Sequence, residues 1–277
     1  MSLALVSVFS SSSPAVHIAP EVMFKIAGVP ITNSILYGWI GTIAMLVLFI
    51  WVAHRITVKP KGGIIQFIEV IAEFIGGTVE DAFDEKARSA KYVLYFVPLF
   101  FFILFNNLIG LIPGVGESLT YGNTALLRPL TADFNATLAM AVITMALVYV
   151  SSIRELGLKS YFSHFFVGSL KNPFYIFLGI IEMITDITRV VSLSLRLFLN
   201  ISIVEIIVVV FAWLGHVLAP ITATPFFLLD LFDDLLQAFI FVLLGAMYLA
   251  IAVNHGSAHE GHNLTSDALP EKIGAKA

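Results

Sequence analysis

Not one of the 277 residues is a cysteine. That excludes disulfides, thiolate metal sites and cysteine nucleophiles. Charge is scarce as well: Asp, Glu, Lys and Arg make up 12% of the chain, against roughly 25% in soluble domains. The net charge is a modest -4, and no basic block offers a footprint for nucleic acid. GVGESLTYG is glycine-rich but lacks the Gly-Lys-Ser/Thr ending of a phosphate-binding loop. No nucleophile stands beside a base, and no inverted repeat of the transporter kind is visible. The opening stretch MSLALVSVFSSSSPAVHIAP has neither the basic start of a secretory signal nor the Arg-rich pattern of a transit peptide. Residues 1–34 are therefore expected to form a leader on the outer side of a membrane.

What the chain does have is oil-like sequence. Hydrophobic residues make up 58% of it, and the mean hydropathy is +0.95. So much apolar surface needs lipid as its solvent, and spanning lipid requires helices with every backbone group satisfied internally. The fold class expected is an all-α polytopic membrane protein with about five to six membrane helices. Ile35–Ala53 is the first span, followed by His54, Arg55, Lys59 and Lys61. Flanking positive charge marks the cytoplasmic side, so this span runs inward. Ile64–Phe83 carries Glu69, Glu73 and Glu80 on one face, as expected of an amphipathic segment on the cytoplasmic side. Tyr92–Ile112 is the second span, preceded by Lys86, Arg88 and Lys91. A Gly- and Pro-rich loop with Arg128 as its only basic residue leads through LTADFNATLAMA into a third span centred on 138–150. Arg154, Lys159 and Lys171 mark the return to the cytoplasm. Two apolar segments follow, from Pro173 to about 217 and from Ala219 to about 253. Each exceeds the ~20 residues of a perpendicular crossing, so steep tilt, or a hairpin lying partly along the membrane plane, is expected of both. From Asn254 the chain turns polar, and a frayed tail is expected. The blocks are thus 1–34, 35–91, 92–253 and 254–277.

The informative residues are the charges in the last two apolar segments, because ionisable groups in a membrane are costly and mark function. On a helical wheel, Glu182, Arg189 and Asn200 fall within about 40° of Arg196, and Asp186 within about 80°. Glu205 lies about 180° away and roughly 13 Å further along the axis. Asp230, Asp233, Asp234 and Gln237 share one face of the following segment, an arrangement that calls for a hydrated cavity. Two readings of Arg196 stand open: a partner that fastens two helices, or part of an ion pathway. The surplus of acids without basic partners favours the pathway. Arg189 is expected to snorkel at the cytoplasmic interface, and Asp233 and Asp234 to lie near the outer rim. In HGSAHEGH, the spacing of His255, His259, Glu260 and His262 suits a metal. A solvated tail is the simpler expectation, and no metal or cofactor is assigned.

SLSLRLFLNISIVE (192–205) resembles the signature of subunit a of the F-type ATP synthase, the membrane stator that faces the rotating c-ring. The family pattern is similar to S-L-x-L-R-L-F-x-N with a Glu five residues after the Asn, and Ser192, Arg196, Asn200 and Glu205 stand in register with it. Leu199 takes the place of a usual Gly, and Gly110 in NNLIGLIPG the place of a frequent acid. TADFNATLAMA resembles the T/S-A-D-x-N-x-T-L block, with Asp133, Asn135 and Thr137 in place. Glu182 matches an acid fourteen residues before the arginine. LLQAFIF resembles the final-helix motif, with Gln237 matching and Asp230 seven residues earlier where the family has a His or an acid. The likeness covers residues 92–253.

The resemblance implies a non-catalytic, ion-translocating subunit, the ATP-forming sites lying on other subunits. Its partners would be the c-ring, the peripheral stalk subunit b, other Fo and F1 subunits, and the lipid bilayer. Protons would enter past Glu205, Asp230, Asn200 and Gln237 and leave near Glu182 and Asp186. Arg196 would separate the two routes, with Ser192, Asp133 and Asn135 as further pathway groups. The last two helices would lie against the c-ring. The location implied is a bacterial inner membrane, with the N-terminus outside and the C-terminus in the cytoplasm. A stand-alone channel or transporter would need a complete path within this chain, and a mere scaffold would tolerate loss of Arg196.

Overall fold

A computed structural model describes residues 20, 22–26, 28–55, 63–83, 86–111, 120, 121, 124, 125, 128–157, 173–215 and 218–266. Most of the leader, Lys59, Lys61, the loop after residue 111 up to 119, Lys159, Lys171 and the last eleven residues lie outside them. So do the side chains of Glu182, Glu205 and the histidines of the C-terminal segment.

Six helices dominate the described residues. They are α1 (Asn33–Arg55), α2 (Gly63–Asp81), α3 (Lys86–Gly110), α4 (Phe134–Leu156), α5 (Pro173–Gly215) and α6 (Ala219–Ser266). Five of them contain stretches long and apolar enough to cross a membrane: 33–55, 89–110, 134–154, 179–215 and 224–251. The chain is an all-α polytopic membrane protein. The remaining helix, α2, is the amphipathic one. Its exposed Ile64, Phe67, Val70 and Phe74 are interleaved with exposed Glu69 and Glu73, while Ile75 and Val79 pack against α3.

Two features depart from the sequence expectations. The leader ends in an antiparallel hairpin, β1 (Val22–Ile26) with β2 (Val29–Thr32), turned at Gly28 with φ +86°. That angle suits a residue without Cβ. And α6 continues to Ser266 instead of fraying at Asn254. Extending an existing helix costs little per residue, because the unfavourable nucleation step is already complete.

The core is aromatic and aliphatic. Phe96, Phe100 and Ile103 of α3 meet Met145 of α4, Leu193 and Leu197 of α5, and Phe241 and Leu249 of α6, all nearly inaccessible. Edge-to-face and stacked rings hold the elements in place, with Phe49 on Phe101 at 5.0 Å and Phe134 on Phe198 at 5.8 Å. Small residues allow close approach: Gly38 of α1 abuts Leu130, and Gly41 abuts the Asn106 side chain. The Tyr37 hydroxyl donates to the Asn106 main-chain carbonyl at 2.6 Å. This bond ties the start of α1 to the end of α3, so Arg55, Lys91 and Arg154 stand toward the opposite ends of their helices.

Candidate functional site

The long helices α5 and α6 form an antiparallel pair with a readable register. The Arg189 guanidinium lies 5.0 Å over the Tyr248 ring, and Phe211 stacks on Phe226 at 4.1 Å. The two positions on α5 are 22 residues apart, and so are the two on α6. Both helices rise about 1.5 Å per residue, so the register holds between these points. It sets Arg196 level with Phe241, Asn200 with Gln237, and the backbone of Glu205 with Phe232, within one turn of Asp230 and Asp234.

Around this pair the helix faces diverge. Leu193, Ser194, Leu197, Ile201 and Val204 turn into the bundle. Arg196 does not: it is exposed, together with Ser192, Leu195, Leu199 and Ile203. Among the described residues no carboxylate pairs with the Arg196 guanidinium. Asn200 is half-buried at the seam. Ser194 is fully buried and shares a hydrogen bond of 3.3 Å with Thr137 of α4. The Arg196 segment is thereby fixed to the bundle from behind, while the guanidinium faces away from it.

The other predicted residues separate into distinct environments. Asp186 accepts a hydrogen bond of 2.9 Å from Arg189, three residues on. Arg189 is therefore engaged twice, by Asp186 and by the Tyr248 face, instead of reaching freely to an interface. Asp133 is buried and caps α4, its carboxylate accepting from the Asn135 main-chain N–H at 2.9 Å and the Asn135 side-chain amide at 3.3 Å. This satisfies orphan donors at a helix start. Glu182 lies on α5 near its start. Asp230 and Asp233 are half-buried on α6, and Gln237 is 4% exposed.

Asp234 overturns the expectation of a rim position. It is 3% exposed, inside the bundle. Its electrostatic neighbours are Asp230 and Asp233 on its own helix, Tyr37 of α1, and the Asn107 side chain of α3. Asn107 Oδ1 accepts from the Thr131 hydroxyl at 2.8 Å. Its Nδ2, by contrast, makes no formed hydrogen bond, and neither does the Nε2 of Gln237 or the Oδ1 of Asn106.

The family model described as ATP synthase A chain matches residues 35–250. The chain belongs to the ATP synthase A chain family. ATP synthase subunit a 2 of Prosthecochloris aestuarii is 32% identical over 260 residues, which are 89% of this chain and 74% of that one. ATP synthase subunit a of Moorella thermoacetica is 33% identical over 240 residues, 87% of this chain and 99% of that one. The corresponding protein of Pelodictyon phaeoclathratiforme is 32% identical over 252 residues.

In this member of the ATP synthase A chain family the residues singled out by sequence are gathered chiefly on α5 and α6. Asp133 and Asn135 instead begin α4. The sequence reading missed Tyr37 and Asn107 as neighbours of the acidic stripe. Two adjacent asparagines inside an apolar run were the available signal, since buried amides need partners.

Proposed function

We propose that the chain is the membrane stator of a rotary ATP synthase, carrying protons through two offset half-channels to and from a carboxylate on an adjacent c-ring. The observation that carries this reading is the environment of Arg196. A guanidinium exposed on an apolar helix face, flanked by exposed Leu195, Leu199 and Ile203, would cost at least a few kcal/mol against lipid. A partner bearing a carboxylate removes that penalty, and a ring of small subunits with one acid each has that chemistry. A self-contained transporter would instead turn its charge into its own bundle.

In this mechanism a proton enters from the outer side past Glu205, Asp230, Asn200 and Gln237 and neutralises the ring carboxylate. The neutral site then turns into lipid, where a charged one could not go. After nearly a full revolution the site meets Arg196 from the other side and releases its proton toward Glu182 and Asp186. Ser192, Asp133 and Asn135 are further polar groups along the routes. Arginine stays charged and has no free lone pair to accept a proton, so it cannot relay one. It attracts the ionised ring carboxylate and repels a hydronium that would cross directly. Each proton crossing yields about 2.3 kcal/mol per 100 mV, and the barrier directs that free energy into rotation. The partners are the c-ring, a peripheral stalk subunit b and the remaining Fo and F1 subunits. The membrane is a bacterial inner membrane, with the N-terminus outside and, after five crossings, the C-terminus in the cytoplasm.

The test is reconstitution of the whole complex with Arg196→Ala. ATP synthesis driven by a proton gradient should vanish, while passive proton leak remains or rises. Synthesis at the normal rate would refute the role. ATP-driven quenching of a pH dye, with and without sodium, identifies the ion.

A further inference from the structure

Buried polar groups of α1 and α3 approach Asp234 of α6. Asp234 is 3% exposed and Asn107 likewise 3%, Gln237 follows Asp234 by one turn, and Tyr37 is 1% exposed. Buried polar groups in folded proteins are nearly always paired. Here Asn107 Nδ2, Gln237 Nε2 and Asn106 Oδ1 are not. Tyr37 uses its proton on the Asn106 carbonyl, which leaves the hydroxyl oxygen free to accept another. The Asn107 amide lies against the Asp234 carboxyl, and the Nε2 of Gln237 and the Oδ1 of Asn106 are left with polar needs that a bound water can meet. Sites with two to four polar partners are where buried water resides.

We propose that Asp234 is a proton-carrying carboxyl of the entry route, served by bound water, with Asn107 as its positioning residue. This rests on the half-channel reading above. The geometry supplies what such a station needs. Thr131 holds Asn107 through its Oδ1, so the amide face is left for a water or for Asp234. Asp230 precedes Asp234 by one turn, giving a second carboxyl on the same face. The α5–α6 register brings the backbone of Glu205 level with this turn. A proton bound by Asp234 thus has an acceptor in Asp230, one turn away on the same helix, and water returns the next one from the Tyr37 side. Each transfer is a proton moving between oxygen atoms, with no other change.

The experiment uses the complete ATP synthase in vesicles, with assembly checked by native gel. In Asp234→Asn, nearly unchanged in shape, ATP-driven pumping should fall by about tenfold or more, as expected when a proton carrier is removed. Asp234→Glu should restore most of it, which a purely structural role for the amide-sized side chain would not predict. Pumping at the wild-type rate in assembled Asp234→Asn overturns the inference. If Asp234→Asn does not assemble, the unmutated complex decides by radiolytic footprinting, in which bound water generates hydroxyl radicals in place. Oxidation of Tyr37, shielded from bulk solvent, supports the wet site, and an unmodified Tyr37 overturns it. Arg196→Ala keeps the two readings apart. Loss of coupled synthesis there, with normal pumping in Asp234→Asn, discards only this inference. Retained synthesis there discards the half-channel reading itself.

Discussion

Ser194 and Thr137 share a hydrogen bond at 3.3 Å, two residues from the exposed guanidinium of Arg196. The bond links α5 to α4 where one surface of α5 packs into the bundle and the other, carrying Arg196, is exposed. Hydrogen bonds between membrane helices average about 0.6 kcal/mol in double-mutant cycles. A cycle of Thr137→Val and Ser194→Ala, measured by unfolding in mixed micelles, should give a coupling of about that size. A coupling of zero would show that the two hydroxyls do not engage each other.

Glu205→Gln should slow ATP-driven pumping, by about tenfold or more if Glu205 carries protons in the rate-limiting stretch. The assay is initial dye quenching at several external pH values. Rates equal to wild type throughout that range would remove Glu205 from the entry route.

Asp133 has a structural task that its sequence position announced, an acid immediately before a helix. Asn caps a helix about as well as Asp, whereas Ala costs about 1 kcal/mol. Asp133→Asn should therefore leave thermal stability unchanged, and Asp133→Ala should lower it by about that amount. Pumping in the stable Asn variant then separates the roles: a deficit assigns the carboxylate to the pathway, and normal rates confine it to the cap.

Gly41 has no room for a side chain. A Cβ there would lie 2.6 Å from Asn106 Oδ1, whereas one at Gly77 would meet nothing within 4 Å. Gly41→Ala should destabilise by about 1–3 kcal/mol through overpacking. Gly77→Ala, in the interior of α2, should stabilise by about 0.4–1 kcal/mol through the unfolded state. Melting of the detergent-solubilised complex ranks the two, and the opposite ranking would contradict the α1–α3 contact.

The membrane helices were legible because their signal is local: an uninterrupted apolar run bounded by Lys and Arg determines a span, and the observed ends follow those expected except in α6, which runs on to Ser266. The hairpin before α1 was missed altogether, although Val22, Phe24 and Ile26 alternate ahead of Gly28, because the stronger helical runs drew the reading of the leader. The three-residue spacing of Asp186 and Arg189 allows their contact, though the pairing was not read from it. Spacing could not show that Tyr248, 59 residues later, would occupy the guanidinium from its other side. Burial of Asp234 was hidden for the same reason. Its neighbours Tyr37 and Asn107 come from helices more than 100 residues away, and a helical wheel reports direction but not what lies there.

The matched 22-residue intervals between Arg189 and Phe211 and between Tyr248 and Phe226 constrain how this sequence can change length. Deleting one residue from either helix inside that window would rotate everything beyond it by about 100° and shift it about 1.5 Å. Arg196 and the acids of α6 would then lose their relative alignment. Insertions and deletions should accumulate in the connections between helices, while the intervals 189–211 and 226–248 behave as rulers of fixed and equal length.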